Sequence, residues 1–225
     1  MNLRISMKLT RIVLTGGPGG GKTEALSEMR KRYEEKGYHV IVTPETATEV
    51  ILAGLGRPSS MDNFDFQTLV LKLLLYREDE FTKAASLLQD GKDVLMICDR
   101  GALDGFGFLE PPLFEKILKN ANLTKEDLYD RYDAVFQLET AAKSTLDSYT
   151  LSNNAARTEN KDEAAVEDDV LYETWCDHPH YFFIGASETI EEKMDLLEKA
   201  IDFYLDNQKE AKDHAGTESA KTESN

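Results

Sequence analysis

The run Thr10-Arg11-Ile12-Val13-Leu14-Thr15 passes without a break into Gly16-Gly17-Pro18-Gly19-Gly20-Gly21-Lys22-Thr23, and a helical pattern starts at once. No other feature constrains the fold of this chain as tightly. Gly16-x-x-x-x-Gly21-Lys22-Thr23 has the complete spacing of a phosphate-binding loop. Such a loop needs a buried strand to deliver it and a helix N-terminus to close it, because unpaired N–H groups and the helix dipole together favour an anion. Gly16, Gly17, Pro18, Gly19, Gly20 and Gly21 would form the cradle. Lys22 would reach the β- and γ-phosphates, and the Thr23 hydroxyl would ligate Mg²⁺. ATP or GTP is the implied co-substrate.

The rest of the chain continues the alternation. Ala25, Leu26, Met29 and Tyr33 fall at helical spacing up to Gly37, and HVIVT (39–43) reads as a second strand stopped by Pro44. A short helical stretch from Glu45 to Gly54 and a loop precede a long core helix expected over 63–89. Strands follow at 93–101, 133–139 and 180–185, with two short helices over 111–131. Near-continuous apolar strands alternating with helices predict an α/β fold, a parallel sheet covered on both faces. Residues 140–178 are more polar; from Thr158 to Asp177 there are eight acids against Lys161 alone, which predicts a mobile, solvated helical lid insertion. Thr189 and Glu192 form a capping box for a last helix. The apolar period stops near Asp206, so the domain is expected to span 1–209 and a disordered charged tail 210–225.

Composition limits the partners. The chain has 225 residues, a formal charge of −16 and 41% hydrophobic residues. That is enough apolar content to fold, and too acidic for a nucleic-acid surface or for docking on anionic lipid. Much of the excess charge falls in the lid, where it leaves the phosphate loop unaffected and offers, with the tail, a surface for a protein partner. Cys98 and Cys176 have no metal-ligand spacing, residues 1–11 lack the apolar core of a secretory signal, and no stretch is long enough to span a bilayer. A reduced, cytoplasmic protein is the expectation.

Other residues would complete the site. Asp99 ends the strand VLMIC, where a carboxylate can hold Mg²⁺ directly or through water. Arg100 follows, able to grip a transferring phosphoryl group or an acceptor, with Asp104 facing the same cleft. Glu45, at the carboxyl end of the second strand, can accept a proton from a substrate hydroxyl; as a first-turn acid it can also simply complement a helix dipole. Arg157, at the start of the acidic insertion, can supply transition-state charge from a closing lid or pair with its acidic neighbours. The acids at 159, 162, 163 and 167 read as a solvated helix face. Thr124-Lys125-Glu126-Asp127 reads as a helix start, His178-Pro-His180 as a turn, and Tyr149, Tyr172 and Trp175 as packing aromatics.

TGGPGGGKT, TPETATEV, ICDRGALD, YDAVFQLETAA, the N-x-x-R-x-E of residues 154–159 and Trp175-x-x-His178 occur in this order. Together they resemble a P-loop kinase-like family labelled AAA-type ATPase or ATP/GTP-binding protein. That family is similar to the ribosylnicotinamide kinase domain and to the TRP-like-channel translocation-defect protein. The resemblance implies a P-loop NTPase of nucleoside/nucleotide-kinase type, with five strands in the order 2-3-1-4-5. It also implies that Glu45 matches the acid that nucleoside kinases hold against the hydroxyl to be phosphorylated, and that Arg157 lies in the lid. Two functions fit: a Mg²⁺-dependent kinase for a nucleoside-like acceptor, or a nucleotide-binding switch without an acceptor, as some relatives bind GTP. A pocket bordered by Glu45, Arg100 and Asp104 would favour the kinase.

Overall fold

A computed structural model describes residues 7–56, 61–143 and 161–222 of the chain. Its centre is a five-stranded sheet in the order β2-β3-β1-β4-β5, all parallel. The strands are β1 (Leu9–Thr15), β2 (His39–Thr43), β3 (Val94–Asp99), β4 (Ala134–Leu138) and β5 (Tyr181–Ile184). This is the order implied by the resemblance. It sets the strand carrying the phosphate loop between β3 and β4, at the switch point where open α/β sheets bind ligands.

Alternation along β1 divides the core. Ile12 and Leu14 face a cluster containing Ala25 and Met29 of α1 (Lys22–Glu35) and Leu197 and Ile201 of α7 (Ile190–Thr222). Val13 faces the opposite side, with Leu71 and Leu74 of α3 (Asn63–Ala85), Phe114 of α4 (Pro111–Asn120), Leu128 of α5 (Lys125–Tyr129), and Trp175 of α6 (Lys161–Trp175). Both faces of the sheet are thus covered, and β1, β3 and β4 can be apolar throughout.

The helix starts follow local chemistry. Asp62 caps α3 by accepting from the Asp65 amide. Thr124 and Asp127 form a reciprocal capping box at α5, so the Thr-Lys-x-Asp sequence is indeed a helix start. Thr189 and Glu192 exchange the same pair of bonds before α7. The helix α2 (Thr46–Val50) runs into a wider turn, Ile51–Leu55, inside which Gly54 adopts φ 88°.

Two expectations change. The helix α7 remains helical in its backbone to Thr222, where a disordered tail was expected from 210; Lys, Glu and Ala there keep a strong local helix preference after the apolar stripe has ended. The acidic lid helix α6 is also not a solvated face throughout. Ala164, Glu167, Asp168, Leu171, Thr174 and Trp175 are buried, because the helix packs across the loop that follows β3. Trp175 is wholly buried among core side chains and Tyr172 rings against Tyr181 and Phe183, so both serve packing.

Candidate functional site

The phosphate loop connects Thr15, the last residue of β1, to Lys22 at the start of α1. Gly16 adopts φ 129°, and a Cβ there would collide with the Leu138 carbonyl at the end of β4. Only glycine lets the loop lie this tightly on the neighbouring strand. Gly21 at φ 87° is the N-cap of α1 and makes no side-chain capping bond, so the first-turn N–H groups are not engaged by a cap side chain and can serve an anion. The Lys22 ammonium curls back onto the loop, donating to the carbonyls of Gly16 at 2.6 Å and Gly17 at 2.9 Å. Thr23 is exposed in the first turn, and Pro18 receives a hydrogen bond from the Thr140 hydroxyl on its carbonyl.

At the end of β3, Asp99 pairs in register with Leu14, two residues before the loop begins. Its carboxylate is half-buried at the same sheet edge as Thr23. A hydroxyl and a carboxylate are the hard oxygen donors that Mg²⁺ accepts, so this part of the site fits the ion the motif implies.

Arg100 follows in the left-handed region at φ 70°, a conformation that disfavours a side chain. Its guanidinium compensates. Nε donates to Glu45 at 2.6 Å, Nη2 lies 3.2 Å from Glu167 of α6, and Nη1 lies 3.5 Å from Asp104. Burial works against the charge of Arg100, but the three carboxylates more than offset it and raise its pKa. Glu45 shows the converse. Burial alone would push its carboxyl up; Arg100, a hydrogen bond from Thr48 and the nearby Lys22 hold it down at about 2. Glu45 is therefore a permanently ionised acceptor of hydrogen bonds near neutral pH.

Asp104 lies behind this cluster rather than on an open cleft. One oxygen accepts from Thr15 at 2.7 Å and the other from the Trp175 indole at 2.8 Å, tying β1, Arg100 and α6 together. Burial raises its carboxyl despite the attraction of Arg100. Of the expected face of Glu45, Arg100 and Asp104, only the first two line the cavity beside the loop.

A cavity of about 650 Å³ opens there, bounded at one end by Pro18 of the phosphate loop. Ile51, Phe66, Phe108 and Val166 supply apolar wall, while Glu45, Arg100 and Glu167 supply charge. Gln67 of α3 reaches the cavity although its residue is only 5% exposed.

The sequence reading missed Gln67 and Asp168, and it took Glu167, which is buried, for part of a solvated helix face. Asp168 accepts from the Gly17 amide at 2.8 Å and from Lys143 at 2.8 Å. The adjacent carboxylates of α6 thus touch both halves of the site, Asp168 the phosphate loop and Glu167 Arg100. The one available signal was the interruption of the acidic run by Ala164 and Leu171 at helical spacing, which marks a face turned inward. Arg157 and Tyr149 lie outside the described residues.

Comparisons with known proteins bear on the family and the fold. A family model described as AAA domain matches residues 11–193. Among solved structures, thymidylate kinase from Ehrlichia chaffeensis is similar with a TM-score of 0.52 and 16% identity, covering 86% of this chain and 99% of that one. At that identity the likeness is one of fold. No curated protein matches the chain.

Proposed function

The chain belongs to the AAA domain family, and on that footing we propose that it is a Mg²⁺-dependent kinase transferring the γ-phosphate of ATP, or of GTP, to a hydroxyl of a nucleoside-like small molecule. The observation that carries this reading is the cavity reaching from Pro18 of the phosphate loop to the Glu45–Arg100 pair. A hydrolytic switch has no need of such a space. A kinase must hold an acceptor there.

In this reading the loop amides and Lys22 hold the β- and γ-phosphates, Lys22 exchanging the Gly16 and Gly17 carbonyls for phosphate oxygens. Thr23 and Asp99 would hold Mg²⁺, which would supply charge to offset that developing on the phosphate oxygens. Glu45 accepts the hydrogen bond of the attacking hydroxyl and aims its oxygen. An acid held at about 2 is a weak base. Orientation is therefore its role, and a loose phosphoryl-transfer transition state needs little more before the proton leaves late. The Arg100 Nη1 is buried without a hydrogen bond and offers a donor to the acceptor or to the moving phosphoryl group. Arg157 is assigned to the same clamp from the lid, and Asp104 supports Arg100 from behind. The protein acts in the cytoplasm.

The test is a panel of nucleosides and related hydroxyl compounds with γ-labelled ATP and GTP. Transfer to a member of the panel, lost in Glu45→Gln with triphosphate binding retained, is expected. Hydrolysis to water alone across the panel overturns the kinase.

One observation favours a second reading, a nucleotide-binding switch that presents its acidic lid or tail to a protein partner. The lid helix α6 is bonded directly to the loop through Asp168 and the Gly17 amide, so occupancy of the loop can be felt by the lid. This reading expects α6 to exchange its amide hydrogens at different rates with di- and triphosphate bound. Equal protection removes it.

A further inference from the structure

Besides Lys22, the described residues include one other buried lysine, Lys193, in the first turn of α7 and only 7% exposed. Two conditions oppose its charge there. The N-terminal end of a helix disfavours a cation, and burial lowers the Lys193 pKa in spite of the attraction of Glu139 and Asp168. Its ammonium donates to the Glu139 backbone carbonyl at 2.6 Å, and no carboxylate among the described residues forms an ion pair with it. Asp168 is already engaged by Lys143 and by the Gly17 amide. Lys36 and Lys143, both more exposed, are each bridged to two carboxylates. The lysine that Lys193 resembles is Lys22, which is also buried and also rests its ammonium on backbone carbonyls.

The oxygen that accepts from Lys193 lies against the phosphate loop. A Cβ on Gly20 would be 3.6 Å from the Glu139 carbonyl oxygen, and a Cβ on Gly21 would be 3.0 Å from the Ile190 Cδ1. The first turn of α7 therefore abuts the end of the loop, whereas the cavity reaches the loop at Pro18. A nucleotide with its γ-phosphate toward the cavity must lead its α-phosphate out past Gly20 and Gly21, on the side of Lys193. The connection into α7 carries an independent sign of a ligand. The Glu139 carboxylate ties it down through the Ala186 amide at 2.7 Å. The next residue, Ser187, has its hydroxyl oxygen buried with no hydrogen bond among the described residues. A buried hydroxyl without a partner, and a buried ammonium with donors to spare, cost stability unless a ligand satisfies them.

We infer that Lys193 is a second phosphate-binding lysine, whose ammonium leaves the Glu139 carbonyl to bond a non-bridging oxygen of the α-phosphate. This rests on the reading of the loop as a nucleotide site, and it stands whether or not an acceptor follows. The protein carries an unfavourable buried charge when empty, and the nucleotide supplies the anion that offsets it.

The test is calorimetric titration of the full chain with the Mg²⁺ complexes of ATP, ADP and inorganic tripolyphosphate, beside urea unfolding of the empty protein. Lys193→Met keeps the apolar stem and removes the charge. It is expected to weaken all three ligands by about 10–100-fold, the size of one charge-assisted hydrogen bond. The empty variant should nevertheless unfold at a urea concentration no lower than wild type, because the charge removed was opposed by burial and by the helix end. A merely structural lysine would give the reverse pair of results. Lys193→Arg, which keeps charge and donors, should recover most of the lost affinity. Affinities untouched by Lys193→Met, a loss confined to ATP, a loss for ATP and ADP that tripolyphosphate does not share, an empty Lys193→Met that is less stable or unfolded, or a Lys193→Arg no better than Lys193→Met overturns the inference. The readings fail separately. If wild type binds none of the three ligands, the loop is not a nucleotide site and the inference falls with it. If Lys22→Ala weakens them and Lys193→Met does not, the inference alone falls. The expected affinities with no phosphoryl transfer to any hydroxyl compound uphold Lys193 and remove the kinase.

Discussion

The two halves of the site are built in opposite ways. The phosphate half is eight consecutive residues, 16–23, whose backbone supplies most of the chemistry. The half proposed to take the acceptor draws on Glu45, α3, Arg100, Phe108 and α6, with wall residues scattered from 45 to 170, and its chemistry is all side chain. In the first, glycine is forced by close approach, as at Gly16 against Leu138. In the second, nothing is forced locally. Arg100 holds an unfavourable φ of 70° because distant carboxylates hold its guanidinium. A site made of backbone is robust and generic; one made of mutually neutralising side chains is specific, and fragile at its centre.

That contrast can be broken most directly at Arg100. Arg100→Leu leaves Glu45, Asp104 and Glu167 facing one another without their shared cation, and should destabilise the protein by about 3–5 kcal/mol in chemical denaturation. A loss near zero would mean that the acceptor half does not depend on this charge. Lys22→Ala should lower triphosphate turnover by about 10²–10³-fold with an unchanged circular dichroism spectrum, since a transition-state contact is removed without emptying the core. If turnover and folding fell together, the phosphate half would be no more autonomous than the other.

Smaller changes sharpen the boundary between the halves. A Cβ at Gly17 would lie 2.7 Å from the Ala164 carbonyl and 3.0 Å from the Asp168 Cβ. Gly17→Ala should therefore cost about 1–3 kcal/mol and appear as faster hydrogen exchange in α6, with α1 protected as before. Uniform loosening of both helices would show that α6 is not the element displaced. The last effect is one of pH. Glu45 has a folded pKa of about 2 against an ordinary 4.5, so its ionised form contributes stability above about pH 4.5 that is lost as pH falls toward 2. Wild type should exceed Glu45→Gln by about 1–2 kcal/mol at neutral pH, and the gap should close across that window. A gap constant down to pH 2 would place the effect in packing.

Much of the fold was legible because it rests on local rules. The five apolar runs became the five strands, the Thr124 and Thr189 boxes became helix starts, and Trp175 became core. The acidic lid was misread for a reason of the same kind. Charge density along 158–177 says solvent, yet Glu167 and Asp168 are drawn inward by Arg100, Lys143 and the Gly17 amide, none of which is near them in sequence. Gln67 escaped for a related reason: within a helical pattern a single amide says nothing until a cavity is found in front of it.

The sequence by itself therefore determined the phosphate loop, the strand that delivers it and the alternation that makes a parallel sheet. Each of these depends on φ/ψ preference and burial periodicity over fewer than about ten residues. Only the tertiary structure decided which carboxylates share Arg100 and where a cavity opens beside the phosphate loop. Those depend on which distant side chains are brought within a few ångströms of one another, where Coulomb energy and desolvation act between residues that the chain itself keeps far apart.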